Sequence, residues 1–208
     1  MPTRAVIFDV GNVLIRWDVH RLYRDDLADD AAIDAFLLEI GFHDWNLGFD
    51  RGEDWDEGVA SLSARHPHHA GRIARFRDRW HDTVPGAIDG SVAILEALAA
   101  GGTPLYAITN FSAPRWAETV ARFPFLARHF RDVVVSGHER VTKPDPAIYR
   151  LLLERNGLAA EACIFIDDSP VNVEAAATLG IDAIRFTDPD ALAEALADRG
   201  LIPRADSA

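Results

Sequence analysis

The chain predicts an α/β protein built on a parallel sheet and interrupted by one large helical insertion. Three observations carry this reading. Short apolar runs recur at residues 5–8 (AVIF), 105–109 (LYAIT), 133–136 (VVVS), 163–166 (CIFI) and 182–186 (DAIRF), each bounded by polar turn residues as buried strands are. Helical patterns separate most of them, the alternation that yields a parallel sheet. Between the first two runs about seventy residues pass without a convincing strand, far more than an ordinary crossover needs.

Each element has its own signal. The first strand runs apolar into Asp9, then Gly11 and Asn12. From Arg16 to Pro85 the stretches HRLYRDDL, DAAIDAFLLEI, DEGVASLSARH and AGRIARFRDRW read as amphipathic helices, joined by turns such as Asp29-Asp30 and Arg51-Gly52. Among them FHDWNLGFDRG is long and polar enough to read as a loop pointing at the active site. This insert would cover the carboxyl end of the sheet, dividing the chain into a core (1–15 and 86–208) and a helical cap (16–85). In the core, SVAILEALAAGG ends in two glycines suited to a helix C-cap, PAIYRLLLERNG starts at Pro146 and stops at Asn156-Gly157, and VNVEAAATLG closes at Gly180. The final PRADSA reads as a frayed tail.

Composition sets bounds on function. With 208 residues, 49% of them hydrophobic, the chain can bury a proper core. A formal net charge of -12 without a Lys/Arg cluster argues against general nucleic-acid binding. No apolar run approaches the roughly 20 residues that span a bilayer, and no signal-like segment opens the sequence. The expectation is a cytoplasmic protein with no membrane partner, a monomer or a homodimer. The single cysteine, Cys163, excludes an internal disulfide framework and reads as a small buried residue.

Ligands of open parallel sheets bind at the carboxyl ends of the strands near the topological switch point. The polar residues there are Asp9, Thr109-Asn110, Ser136 and Asp167-Asp168, with Lys143 in the following loop VTKPDP. Each has a use if the substrate is a phosphate ester. Carboxylates on adjacent strands can hold Mg²⁺, a hard cation that favours oxygen ligands. Asp9 could then attack phosphorus, splitting hydrolysis into two steps, while Thr109, Asn110 and Lys143 neutralise the phosphoryl oxygens. Gly11 would let the backbone approach the phosphate. Each residue also has an ordinary structural use: Asp9 as a turn residue, Asp167-Asp168-Ser169 as a helix N-terminus before Pro170, Thr109-Asn110 as a polar strand end and Lys143 as a solvated lysine.

Taken together, FDVGNVL, ITN, KPDPAIY and FIDDSPVNVEAA resemble, in order, the four motifs of the haloacid dehalogenase (HAD) superfamily, and the insert resembles its helical C1 cap. That resemblance implies a Rossmann-like core, Mg²⁺ as cofactor and a small phosphorylated metabolite as substrate. It makes Asp9 the nucleophile and a metal ligand, and gives the Gly11 carbonyl and Asp168 as further ligands, with Asp167 and Asn172 flanking Asp168 either as additional metal ligands or as supports behind it. Thr109 and Asn110 fall on the second motif and Lys143 on the third; Gly11 and Asn12 lie beside the phosphate.

Gly11 departs from the pattern. Phosphatases of the superfamily usually carry there a second aspartate that acts as general acid and then base. The DxGN form, followed by Asp18, resembles the sugar-phosphate phosphatases of the α-glucose-1-phosphate kind. Asp18 is therefore expected either to replace the missing acid or to bind substrate hydroxyls. Trp17 and Trp45 are expected to pack against a sugar ring. The alternatives are a 2-haloacid dehalogenase, which two adjacent acids beside Asp9 disfavour, and a weakly catalytic protein that binds phosphorylated metabolites. His66, His68 and His69 read as an exposed loop, interrupted by Pro67 and with no neighbouring Cys or acid to complete a ligand set.

Overall fold

The computed structural model describes residues 4–204; residues 205–208 of the tail lie outside the described residues. Five strands, β1 (Ala5–Phe8), β2 (Leu105–Thr109), β3 (Asp132–Val135), β4 (Cys163–Asp167) and β5 (Asp182–Arg185), form one wholly parallel sheet in the order β3-β2-β1-β4-β5. The chain leaves β1 toward β2 on one side and returns to β4 on the other. The switch point therefore lies between β1 and β4, which places Asp9 beside Asp167.

Helices line both faces of the sheet. Along the chain they are α1 (Asp30–Glu39), α2 (Phe42–Asp50), α3 (Trp55–Arg65), α4 (Ala70–Asp78), α5 (Asp89–Ala100), α6 (Ala113–Arg122), α7 (Phe125–Arg128), α8 (Ser136–Glu139), α9 (Pro146–Asn156), α10 (Pro170–Thr178) and α11 (Pro189–Asp198), with short 3₁₀ turns among them. Alternate strand residues point to opposite faces. Val6 and Phe8 join a large core that runs into the insert, whereas Ile7, Ile108 and Phe165 pack with Ile148, Tyr149 and Leu152 of α9 on the other face. Cys163 is buried and unpaired.

The insert enters and leaves through adjacent passages. Ile15 bridges to Ala87, Arg16 N–H donates to Gly86 O (2.9 Å) and Ile88 N–H to Leu14 O (2.8 Å). Two further contacts tie the insert to the sheet: Arg51 Nε donates to Thr142 Oγ1 (3.3 Å), and Arg115 of α6 donates to Arg77 O (2.5 Å) with its guanidinium over the Trp55 ring.

The segment expected as a loop, FHDWNLGFDRG, is mostly helix. Phe42, Trp45 and Phe49 are spaced i, i+3 and i+7 on α2 and pack against Phe76 and Trp55, with Phe49 and Trp55 stacked at 4.2 Å. Two glycines fit the helix: Gly41, just before it, takes the left-handed start (φ 64°), and at Gly48 a Cβ would meet the Glu53 carboxylate at 2.5 Å.

Candidate functional site

Asp9 follows β1, its N–H donating to Ile166 O of β4 (2.8 Å) and its Oδ1 accepting from Val10 N–H (2.6 Å). Lys143 Nζ lies 2.8 Å from Asp9 Oδ1 and donates to Asp167 Oδ2 (2.7 Å) and Ile108 O (3.0 Å). All three of its N–H groups thus have acceptors. Asn110 fixes the backbone of that lysine from both sides, accepting from Lys143 N–H (2.8 Å) and donating to Lys143 O (3.0 Å). Ser136 Oγ accepts from Phe111 N–H (2.8 Å), so this hydroxyl braces the loop after β2.

The two acids at the end of β4 have different surroundings. Asp167 is fully buried; its Oδ1 accepts from Ser169 N–H and Asn172 Nδ2, and its Oδ2 from Lys143 and Asn172. Three donor groups make four contacts with its two oxygens, and it stands behind the cavity wall. Asp168 lines the cavity. Ser169 then starts α10, with Pro170 at the first helical position as its fixed φ favours.

Burial raises the Asp9 carboxyl above the usual range, Asp167 adds to the rise and Lys143 opposes it. Asp168 is also raised, by burial first and then by Asp167. Burial alone would pull the Lys143 ammonium down, but Asp9 and Asp167 outweigh it and hold it up. Carboxylate oxygens of Asp9, Asp167 and Asp168 lie within 4.8 Å of one another. Three buried or half-buried acids against one ammonium leave a deficit of positive charge, which a hard divalent cation with oxygen ligands fits. Among the described residues no backbone N–H outside the regular elements donates to the Gly11 carbonyl, so this oxygen fits the same role.

A cavity of about 500 Å³ opens above these groups, walled by sheet loops on one side and the insert on the other. Of the sequence-predicted residues, Asp9, Gly11, Asn12, Trp17, Asn110, Lys143, Asp168 and Asn172 line it. Asn12 adopts a left-handed backbone (φ 53°), which asparagine tolerates, and turns its Oδ1 to accept from Trp17 N–H (2.9 Å). Thr109 is buried at the end of β2, outside the cavity lining.

Two expectations are corrected. Asp18 does not reach the cavity; its Oδ1 caps a 3₁₀ turn by accepting from His20 N–H (3.0 Å), and its Oδ2 takes Arg24 Nη2 (3.2 Å). Trp45 turns into the insert, donating its Nε1–H to Gly58 O (3.1 Å) among Phe42, Phe49 and Phe76. The histidine loop also has a neighbour that the sequence hides: Glu39 of α1 lies 2.9 Å from His68 Nε2 and 3.2 Å from His69 Nε2. Arg72 Nη1 faces His69 Nδ1 at 3.1 Å, which sets that nitrogen as an acceptor and leaves Nε2–H to donate to Glu39.

Sequence reasoning missed several cavity residues: Asp50 and His43 of α2, Trp55, Trp80 and Phe111. The aromatic ones carry a weak signal, since tryptophans are frequent in the insert, but helical packing accounts for them equally well. For Asp50 the signal was present only once α2 is drawn as a helix, which puts Asp50 one turn beyond Asn46 on the face that also holds His43.

Fold and site together define an α/β hydrolase with its acids and lysine gathered at the sheet's switch point under a helical insert. The chain belongs to the haloacid dehalogenase-like hydrolase family, whose model matches residues 3–180. It is 32% identical over 203 residues to a phosphoglycolate phosphatase of Rhodospirillum rubrum, covering 88% of this chain and 79% of that protein. It is 32% identical over 114 residues to flavin mononucleotide hydrolase 1 of Arabidopsis thaliana, covering 55% of this chain and 46% of that one, less than half of that relative's length. A HAD family enzyme of Bacteroides thetaiotaomicron, solved with magnesium and inorganic phosphate, shares the fold with a TM-score of 0.68 at 20% identity, over 89% of this chain and 95% of that one.

Proposed function

We propose that this chain is a Mg²⁺-dependent phosphatase that hydrolyses a small phosphate monoester, of the sugar-phosphate class, through phospho-Asp9. The observation that carries the reading is the convergence of Asp9, Lys143 and Asp168 on one cavity whose acids outnumber its cations. Phosphatases among the relatives support it. The same excess of acid would repel the carboxylate of a 2-haloacid.

Asp9, Asp168 and the Gly11 carbonyl would hold the Mg²⁺, which when bound offsets the repulsion between carboxylate and phosphoryl group. Asp9 supplies the attacking oxygen. Lys143 aims that carboxylate and opposes the rise that burial imposes on it, and its charge offsets the negative charge gathering at phosphorus in the transition state. Asp167 and Asn110 hold Lys143 in place. Trp17 offers an aromatic face at the cavity wall for the rest of the substrate. The insert acts as a cap over the cavity and would exclude water from the phosphorylated aspartate. Among the described residues no helix is long and apolar enough to cross a membrane; a soluble metabolite in the cytoplasm is the partner we assign.

The test is phosphate release from a panel of sugar phosphates and an aryl phosphate, with Mg²⁺ or EDTA, by wild type and Asp9→Asn. Metal-dependent release that Asp9→Asn abolishes is expected. Release that persists in EDTA or in Asp9→Asn would refute the mechanism, and ligand-induced stabilisation without turnover would point to a binding protein.

A further inference from the structure

The carboxylate missing at position 11 leaves open which group protonates the departing alcohol. We infer that Asp50, reaching the cavity from the insert, is the general acid and base of this site. This rests on the phosphatase reading above.

The position is built. Asp50 ends α2 and lines the cavity opposite the sheet loops that carry Asp9 and Asp168. An in-line displacement puts the leaving oxygen on the far side of phosphorus from Asp9, which is the side the insert occupies. The residues after Asp50 anchor it to the sheet: Arg51 donates to Thr142, next to Lys143, and Gly52 (φ 87°) packs so closely that a Cβ there would meet Gly137 O at 3.0 Å. Helix stability does not explain an acid here, because a carboxylate at a helix C-terminus faces the negative end of the dipole. The space at Gly11 is empty, with nothing within 4 Å of where its Cβ would stand.

The chemistry suits the role. Burial pushes Asp50 up to about 7, against the Ser112 backbone and the Lys143 charge, which pull it down. Its neighbours are Asn46 Nδ2 (3.4 Å) on its own helix, the Ser112 backbone after β2 and Lys143 after β3; His43, Asp9 and Asp168 are the other titratable groups on the cavity wall. In the first step an Asp9 oxygen bonds to phosphorus as the P–O bond to the alcohol breaks, and the Asp50 proton passes to the leaving oxygen. In the second, Asp50 takes a proton from water as that oxygen bonds to phosphorus and the Asp9–phosphorus bond breaks. Asp50 ends protonated, as it began.

The experiment compares wild type and Asp50→Asn, in Mg²⁺, on a nitrophenyl phosphate, whose leaving group needs no proton, and on an alkyl phosphate, whose leaving group does. Asp50→Asn should lose about 10²–10⁴-fold in kcat/KM on the alkyl ester and less than about tenfold on the nitrophenyl ester. Equal losses on both, or no loss on the alkyl ester, would overturn the assignment. A second readout is the pH profile: on the alkyl ester in Mg²⁺ the wild type should show a loss of kcat/KM on the alkaline side that Asp50→Asn lacks, and identical profiles would overturn the assignment too. Wild type inactive on both esters would remove the phosphatase reading itself, and this inference with it.

Discussion

Replacing Lys143 with methionine tests whether one ammonium organises the site. The side chain keeps its approximate length and loses its charge, so three acceptors, Asp9 Oδ1, Asp167 Oδ2 and Ile108 O, lose their donor. At 2.8 Å and an effective dielectric near 20, each ion pair has a gross attraction of about 6 kcal/mol, of which desolvation offsets a large part. Removing one partner of a buried pair costs about 3–5 kcal/mol. Protonating a stranded carboxylate at pH 7.5 offers an escape at about 5 kcal/mol, which sets a similar ceiling. We therefore predict a loss of about 3–5 kcal/mol in EDTA. For a chain of 208 residues that lowers Tm by roughly 6–20 °C. Urea unfolding followed by tryptophan fluorescence at pH 7.5 measures it. Mg²⁺ should return more stability to the variant than to wild type, because it enters a more negative site. A loss below about 1 kcal/mol in EDTA would refute the argument that Lys143 is the charge on which the buried acids depend.

Three further outcomes are expected. Gly11→Asp should change stability in Mg²⁺ by less than about 1 kcal/mol, because its Cβ meets open space and its φ is outside the left-handed region; in an Asp50→Asn background it should restore release from alkyl phosphates, and a loss above about 2 kcal/mol would contradict the empty space. Trp45→Ala should cost about 3 kcal/mol and leave KM unchanged, whereas Trp17→Ala should raise KM with a smaller stability loss; thermal melts and steady-state kinetics on one sugar phosphate separate the two. Hydrogen bonds from Arg199, and then Arg4, hold Asp182 below the usual carboxylate range against partial burial. A depressed carboxylate adds stability above its unfolded pKa and loses it as pH falls, so the gap between wild type and Asp182→Asn, about 1 kcal/mol or less at pH 7 given its solvent screening, should close below about pH 4.

What could be read from the sequence depended on the range over which each signal acts. The strands were legible because a strand buried on both faces is an unbroken apolar run, and AVIF, LYAIT and CIFI are just that. Asp9, Asn110, Lys143 and Asp168 were legible because strand ends in a parallel sheet point to one edge whatever the loops do. The helix α2 was not. Gly48 inside it and Gly41 and Gly52 on either side mimic a loop, and only the contacts of Phe42, Trp45 and Phe49 with Phe76 and Trp55, which the structure supplies, decide for a helix.

The expectation for Asp18 rests on its place after the DxGN motif, at the core–insert junction. Asp18 had a local use that outcompeted any role in the cavity: its two oxygens are taken by His20 N–H and Arg24 within six residues. Asp50 has only the long 3.4 Å contact from Asn46 on its own helix. Its other surroundings, Ser112 and Lys143, come from loops after β2 and β3, and no pattern along the chain brings those together. A residue whose other neighbours are distant in sequence becomes visible only when the insert is seated on the sheet. An acid that depends on that seating would be withdrawn from phosphorus whenever the insert lifts, so hydrolysis of alkyl phosphates would require the closed arrangement that also excludes water.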